Sequence, residues 1–153
     1  MPIDMDNMLP GFSPQLMCAA PTVIDPAASA ATAVIAANPL RDAEVLDVGF
    51  LITDSSASAY TIKIGLTTPS GINDDYFVTD FEVTAAANVG VVYRIADGNL
   101  SWAGTADTEA ERVIPKGSHI TIHHTDAGDA GADAGGFVPF VIMRGAEPLD
   151  PIA

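Results

Sequence analysis

Three histidines lie in one short segment, and their imidazole groups are the side chains of this chain best suited to bind a metal ion. They are His119, His123 and His124. Polar and apolar residues alternate here, which predicts a strand with His119 and His123 on one face and His124 on the other. Since a strand rises about 3.3 Å per residue, the two that share a face are roughly 13 Å apart, whereas a metal ion binds each ligand at about 2 Å. We therefore expect no metal and no cofactor.

The acidic residues form two further patterns that could support chemistry. Loop 125–136 is rich in Asp, Ala and Gly, but it lacks the alternate acidic positions and the closing glutamate of an EF-hand. It is expected to be a solvated loop, with calcium binding left open. Asp74 and Asp75 are adjacent, so they cannot flank a substrate as the two carboxyl groups of a glycosidase do.

Nucleophilic chemistry has no recognisable pattern in this chain. No serine stands in a nucleophile elbow, and the chain has no P-loop pattern. Cys18 is the only cysteine and lies between prolines, where a rigid catalytic geometry would be difficult to hold. The sequence therefore predicts a protein that is not an enzyme.

Trp102 is the only tryptophan, and it lies in a polar segment. Tryptophan is enriched at the centres of protein interfaces. It is equally suited to closing the open end of a β-sandwich. Both roles are retained for Trp102, which we include among the candidate partner-binding residues.

Several short segments alternate with the period of two that is typical of half-buried strands. They are Glu44–Thr53, Tyr60–Thr67, Tyr76–Val83, Ser118–His124 and Phe137–Arg144, with a further strand-like stretch at Asn88–Ile95. The alanine-rich segment Ala27–Ala37 fits a helix or a strand equally well. Short strands separated by turn signals predict an all-β fold, a jelly-roll-like antiparallel β-sandwich.

The alternation also assigns faces to these strands. In the first strand, Val45 is expected opposite Val48 and Phe50. In the second, one face carries Tyr60, Ile62, Ile64 and Leu66. In the third, Phe77 and Thr79 are expected to share a face. Pro139 in the last strand indicates an edge position or a bulge, because proline cannot donate a backbone hydrogen bond.

The first 26 residues differ from the rest of the chain. They are rich in proline and methionine and show no regular period. We predict an extended N-terminal arm at 1–26, a β-sandwich domain at 27–146 and a tail at 147–153. The apolar residues of the arm are the candidate partner-binding set: Ile3, Met5, Met8, Leu9, Phe12, Leu16 and Met17. The arm is expected to pack on a neighbouring subunit, or alternatively to wrap its own domain.

The charge balance restricts the choice of partners. The chain has 6 basic and 20 acidic residues and a net charge of −14. Nucleic-acid binding needs a basic surface, so this composition predicts no nucleic-acid partner. Anionic membranes are disfavoured for the same reason. No apolar stretch reaches membrane-spanning length and the first residues are acidic, so we expect a protein made in the cytoplasm with no membrane contact.

Three stretches together resemble the capsid decoration, or cement, proteins of tailed bacteriophages. They are ERVIPKGSHITIHH followed by a glycine-rich loop and GGFVPFVIMRG, the middle strands EVLDVGFLITDSSASAYTIKIGL, and the apolar opening MPIDMDNMLPGFSPQLM. The resemblance is one of pattern and covers about residues 30–145. It carries over no catalytic residue.

The resemblance implies a non-enzymatic structural protein on the outer surface of the virion head. Its partners would be the major capsid protein and further copies of the chain, usually as a homotrimer. A phage tail, neck or head-fibre component, with a possible role in glycan or receptor binding, is the alternative within the same setting. A surface adhesion module is a further alternative, outside the phage setting.

Overall fold

The computed structural model describes residues 15–18, 31–38, 42–124 and 134–145, which form nine strands and one turn of 3₁₀ helix. The strands are β1 (Gln15–Cys18), β2 (Ala31–Asn38), β3 (Ala43–Ser56), β4 (Tyr60–Thr68), β5 (Gly71–Val83), β6 (Val92–Arg94), β7 (Val113–Ile114), β8 (Ser118–His124) and β9 (Ala134–Gly145), and the 3₁₀ helix is Gly104–Ala106.

Two antiparallel sheets make up the fold. The first has the order β1-β9-β3-β6, with β7 also pairing with β3, and the second has the order β2-β8-β4-β5. The predicted all-β sandwich is confirmed. Within the part of the chain that the structure describes, no helix has the length and apolar character needed to cross a membrane.

In sequence order, the first strand pairs with the last one, the second strand with the next to last, and so on toward the middle of the chain. β1 pairs with β9, β2 with β8, β3 with β6 and β7, and β4 with β5. Successive pairs belong alternately to the first and the second sheet. As a result, β1 and β2 are edge strands of different sheets, although they follow each other in sequence.

The hydrophobic core lies between the two sheets. The face predicted for β4 is confirmed, and its buried side chains are Tyr60, Ile62, Ile64 and Leu66. From β8, Ile120 and Ile122 are buried in the same core. The first sheet contributes Phe50 and Phe137, whose ring centroids are 6.0 Å apart in an edge-to-face contact.

The single alternation predicted for β3 is wrong in its first half. A bulge between Val45 and Asp47 shifts the register against β9. Val45 is therefore buried together with Val48 and Phe50, on the core side. A bulge adds one residue to one strand, so it reverses the faces of every residue on one side of it.

A similar shift changes β5. Ile62 pairs with Phe81 but Ile64 pairs with Val78, so β5 has one extra residue in this interval. Phe77 and Val78 are consequently both buried although they are adjacent. Thr79, which was expected beside Phe77, is exposed.

Two other expectations concern proline and alanine. The segment Ala31–Asn38 is a strand, which was one of the two alternatives left open for the alanine-rich segment. Pro139 lies opposite Phe50 of β3, and the described pairing of β9 with β1 ends one residue away at Phe140. β9 is an inner strand, between β1 and β3, and its register against β3 is regular around Pro139. The prediction of an edge position or a bulge at Pro139 is therefore wrong.

Candidate functional site

The residues predicted to bind a partner fall into two groups. Five of them lie outside the described residues: Ile3, Met5, Met8, Leu9 and Phe12. The other two from the arm, Leu16 and Met17, lie in β1, where they pair with Ile142 and Val141 of β9. At these residues the segment predicted as an arm is thus a strand of the chain's own first sheet.

An apolar surface lies next to β1, on the side of the first sheet that faces away from the second. We call it the outer apolar face and define it by the half-buried residues Leu51, Val92, Val138, Phe140 and Ile142. They form rows across the strands, since Val138 pairs with Leu51 and Leu51 with Val92. Because Leu16 pairs with Ile142, the strand β1 borders this face directly.

Two ion pairs lie at opposite ends of the outer apolar face. Arg94 Nε donates to Asp47 Oδ2 at 2.6 Å, and the other carboxylate oxygen accepts a bond from the Ala96 amide at 3.2 Å. At the far end, Arg144 Nε donates to Glu44 Oε2 at 2.8 Å. Each of these arginines is balanced by one acid. The face is therefore neutral although the whole chain carries −14.

Gly49 lies at the centre of this face, between Phe140 of β9 and Arg94 of β6. The Phe140 ring covers the glycine, and the Arg94 guanidinium is 6.0 Å from the centre of that ring. A side chain at position 49 would collide with both neighbours. The absence of a side chain here lets an aromatic ring and an arginine meet in the middle of the face, a combination that is enriched at interface centres.

Trp102 lies in the connection between β6 and β7, beside the middle of β5. Its half-buried indole packs edge-to-face on Phe77 at 6.2 Å and has the Arg112 guanidinium 4.9 Å from its ring. The connection is fixed to β5 because the Ala103 amide donates to the Phe77 carbonyl at 2.8 Å. Trp102 thus packs against the core of its own domain, and both roles suggested for it stay predictions.

The outer side of the second sheet is polar and contains two of the three candidate histidines, His119 and His123. His123 of β8 lies opposite Lys63 of β4, and Lys63 Nζ is 3.5 Å from the Asp80 carboxylate and 4.0 Å from that of Asp74. The side chain of His123 is 3.1 Å from the Thr121 hydroxyl. Burial lowers the pKa of His123, the Asp74 carboxylate raises this pKa, and Lys63 lowers it.

The histidines are separated as the sequence predicted. His119 is exposed and His123 half-buried, while His124 is buried next to the Phe137 ring. Among the described residues, no group of three His, Cys, Asp or Glu side chains is placed to bind a metal ion. The alternative of calcium binding by loop 125–136 falls almost entirely outside the described residues.

A shallow open groove of about 280 Å³ lies at the β4–β5 turn. Its apolar wall consists of Leu66, Ile72 and Tyr76, and Ile72 is largely exposed. Threonine, serine, glycine and asparagine form the rest of its lining. The groove can accept a small apolar side chain, and its lining contains no carboxylate, histidine, lysine or cysteine.

The sequence did not predict the outer apolar face as a site, although it contains a signal for it. Residues 137–143 are apolar at every position, whereas a strand with one solvated face alternates. An uninterrupted apolar run of this kind indicates that both faces of the strand are covered.

Models of known protein families and curated protein sequences give no match to this chain. Its function is therefore inferred from its own residues and geometry.

Proposed function

We propose that the chain is a non-enzymatic structural protein of a tailed-phage virion, which binds the outer surface of the head as a decoration protein. The observation that carries this proposal is the neutral outer apolar face, which borders the strand that follows the apolar N-terminal segment. A contiguous apolar surface with a polar rim is typical of protein–protein docking sites. The major capsid protein is the partner that this proposal implies.

We further infer that the sandwich is a jelly roll. The support is the strand order, in which pairs run inward from the chain ends and alternate between the sheets. Jelly rolls occur in viral capsid and lectin domains and in cupins. Because one fold serves many functions, this inference supports the setting but does not by itself define the activity.

The charge distribution fits attachment to a lattice of many identical sites. A neutral face on an acidic chain directs association to that face, since like-charge repulsion is smallest there. The face is small, so the affinity of a single copy is expected to be modest. Simultaneous contacts by neighbouring copies, and by the apolar arm, would increase the apparent affinity on the head.

Co-sedimentation with heads of the phage that encodes the chain tests this proposal. Val138→Glu places a charge on the outer apolar face and is expected to weaken binding at least tenfold. Ile72→Glu is the matched control, because it alters an exposed apolar residue of the second sheet. Circular dichroism must show that both variants remain folded. Equal binding by the two variants would contradict a docking role for the face.

The number of bound copies separates the two phage settings. Hundreds of copies per head would support a decoration protein. A few tens or fewer would favour the alternative, a tail, neck or head-fibre component. The half-buried Trp102 beside Arg112 gives that alternative a direct test, since a bound saccharide would quench its fluorescence. No binding to any phage particle would contradict both.

A further inference from the structure

The edges of the two sheets differ in how far they are protected from pairing with another chain. An edge strand presents backbone donors and acceptors that can add a further strand, and proteins usually block such edges with charges, bulges, short strands or covering loops. The edge strands here are β1 and β6 in the first sheet, and β2 and β5 in the second.

The β6 edge of the first sheet is protected. Asn99 occupies the outer edge of β6, since its side chain accepts from the Arg94 amide at 2.7 Å and donates to the Val92 carbonyl at 2.9 Å. The asparagine thereby replaces a neighbouring strand. At the other edge, the structure describes four residues of β1, Gln15–Cys18, half as many as it describes of β2.

The β5 edge of the second sheet is protected by acids, by irregular pairing and by a loop. It carries the acids Asp74, Asp75, Asp80 and Glu82. The carbonyl of Tyr76 accepts a bond from the Thr105 hydroxyl at 2.6 Å, and that of Phe77 accepts one from the Ala103 amide. A second acidic chain would be repelled from this edge.

The remaining edge, β2, has neither a charge nor a covering loop among the described residues. It extends over eight residues, Ala31–Asn38, none of them charged and none a proline. Along its inner side it pairs with β8 from Ala31 opposite His124 to Asn38 opposite Ser118, with one bulge between Val34 and Ala36. β2 is therefore the longest uncharged edge in the described part of the fold.

We propose that two copies of this chain pair antiparallel through the outer edges of β2, which joins their second sheets into one continuous sheet. Identical strands related by a two-fold axis satisfy each other's backbone groups, so the contact closes at two copies. A second copy fits this edge because two chains of net charge −14 approach most easily where neither carries charge. The proposal does not depend on the phage assignment, and it differs from the trimer implied by the resemblance.

Light scattering coupled to size exclusion, over a series of protein concentrations, tests the pairing. We expect the mass to rise with concentration from 15.8 kDa to twice that value. Val34→Lys puts a charge in the middle of the edge, and should raise the dimer dissociation constant at least tenfold. Position 34 lies in the middle of β2 and pairs with Thr121 of β8.

Thr79→Lys provides the control, because it adds the same charge to an exposed residue of β5 on the opposite edge. It should leave the dimer intact. A constant monomer mass, a trimer, or an equal effect of the two lysines would overturn the proposal. Thermal melts of each variant at low concentration establish that the monomer remains folded.

Two further measurements separate loss of the contact from loss of folding. A mixture of Val34→Lys with Val34→Glu should regain the dimer, since unlike charges then meet across the two-fold axis. In the wild-type chain, amide hydrogen exchange in β2 should slow by at least tenfold between low and high protein concentration, while that in β5 stays constant. Unchanged exchange in β2 in a sample that does dimerise would place the contact elsewhere and overturn the proposal.

Discussion

Gly49 shows how a single residue determines the shape of the outer apolar face. A methyl group at this position would lie 2.7 Å from the Phe140 ring and 2.9 Å from Arg94 Cβ, and closer still to the Tyr93 carbonyl oxygen. We predict that Gly49→Ala lowers the free energy of unfolding by about 3 kcal/mol, because backbone and ring must both move. Urea titration measures this change. Gly71→Ala, at a site with open space around it, should change stability by less than about 0.5 kcal/mol. Similar losses in both variants would contradict the steric explanation.

Two tyrosines should respond in opposite ways to loss of the hydroxyl. The Tyr60 hydroxyl is buried and has no hydrogen-bond partner among the described residues, and burial, together with Tyr93, raises its pKa to about 12. The Tyr76 hydroxyl donates to the Glu111 carbonyl at 2.8 Å. We expect Tyr60→Phe to increase the free energy of unfolding by about 1 kcal/mol, and Tyr76→Phe to decrease it by a similar amount. Chemical unfolding of the two variants checks both signs, and a decrease for Tyr60→Phe would show that its hydroxyl is satisfied in solution.

The polar side of the second sheet should make stability depend on pH through His123. Because burial lowers its pKa in the folded chain, the unfolded chain takes up the proton at a higher pH than the folded chain does. The contribution of His123 to the free energy of unfolding is therefore intact above about pH 6.5 and is lost as the pH falls through the lowered pKa.

We predict that His123→Gln reduces the loss of stability between about pH 7.5 and pH 5.5, relative to the wild-type chain. Urea titrations at the two pH values measure it. His119→Gln, on the same face but exposed, is the control and should behave as the wild type. An identical pH dependence in all three proteins would assign the effect to other groups.

At the scale of elements, alternation predicted the buried face of a strand correctly where the pairing with its neighbour is regular, and wrongly where the pairing contains a bulge. β8 is regular against β4, and its core residues Ile120 and Ile122 were assigned correctly. In β3 the bulge at Val45–Asp47 reverses the faces, and the local sequence is apolar on both sides of it. A bulge is determined by the partner strand, so the residues of one strand do not reveal it.

Deletions that end before and after β1 should separate the effect of the N-terminal segment on particle binding from the effect of β1 on stability. Removing residues 1–14 leaves β1 paired with β9, so we expect the free energy of unfolding to change little while particle binding falls, as the proposed function requires. Removing residues 1–18 also deletes β1 and should lower stability by about 2 kcal/mol, because several ladder hydrogen bonds of about 0.5–1.5 kcal/mol each are lost. The sequence alone predicts an arm at 1–26, and a deletion of residues 1–20 within it would combine the two effects. Unaltered particle binding after removal of residues 1–14 would contradict a binding role for the arm.

At the scale of the whole molecule, composition predicted the sign of the charge but not its arrangement. Eight of the 20 acidic residues lie along β5 and in the connection between β6 and β7. Arg94 and Arg144 instead stand on the outer apolar face, each paired with one acid. The pairs are 47 and 100 residues apart in sequence, so only the register of the first sheet brings them together. The neutral face, and with it the candidate site, follows from the fold rather than from any local motif.

This arrangement predicts how salt affects the folded chain. Self-repulsion among the acids opposes folding, and added salt screens it, since the Debye length falls from about 30 Å at 0.01 M to about 3 Å at 1 M. Screening also weakens exposed ion pairs, but each of these contributes at most about 1 kcal/mol. We therefore expect the free energy of unfolding, measured by urea titration, to rise with sodium chloride.

The triple variant Asp97→Asn, Asp107→Asn, Glu109→Gln removes three exposed acids. It should be more stable than the wild type at low salt and respond less to added salt. A stability that falls with salt in both proteins would mean that ion pairs such as Arg94–Asp47 outweigh the repulsion of the excess acids.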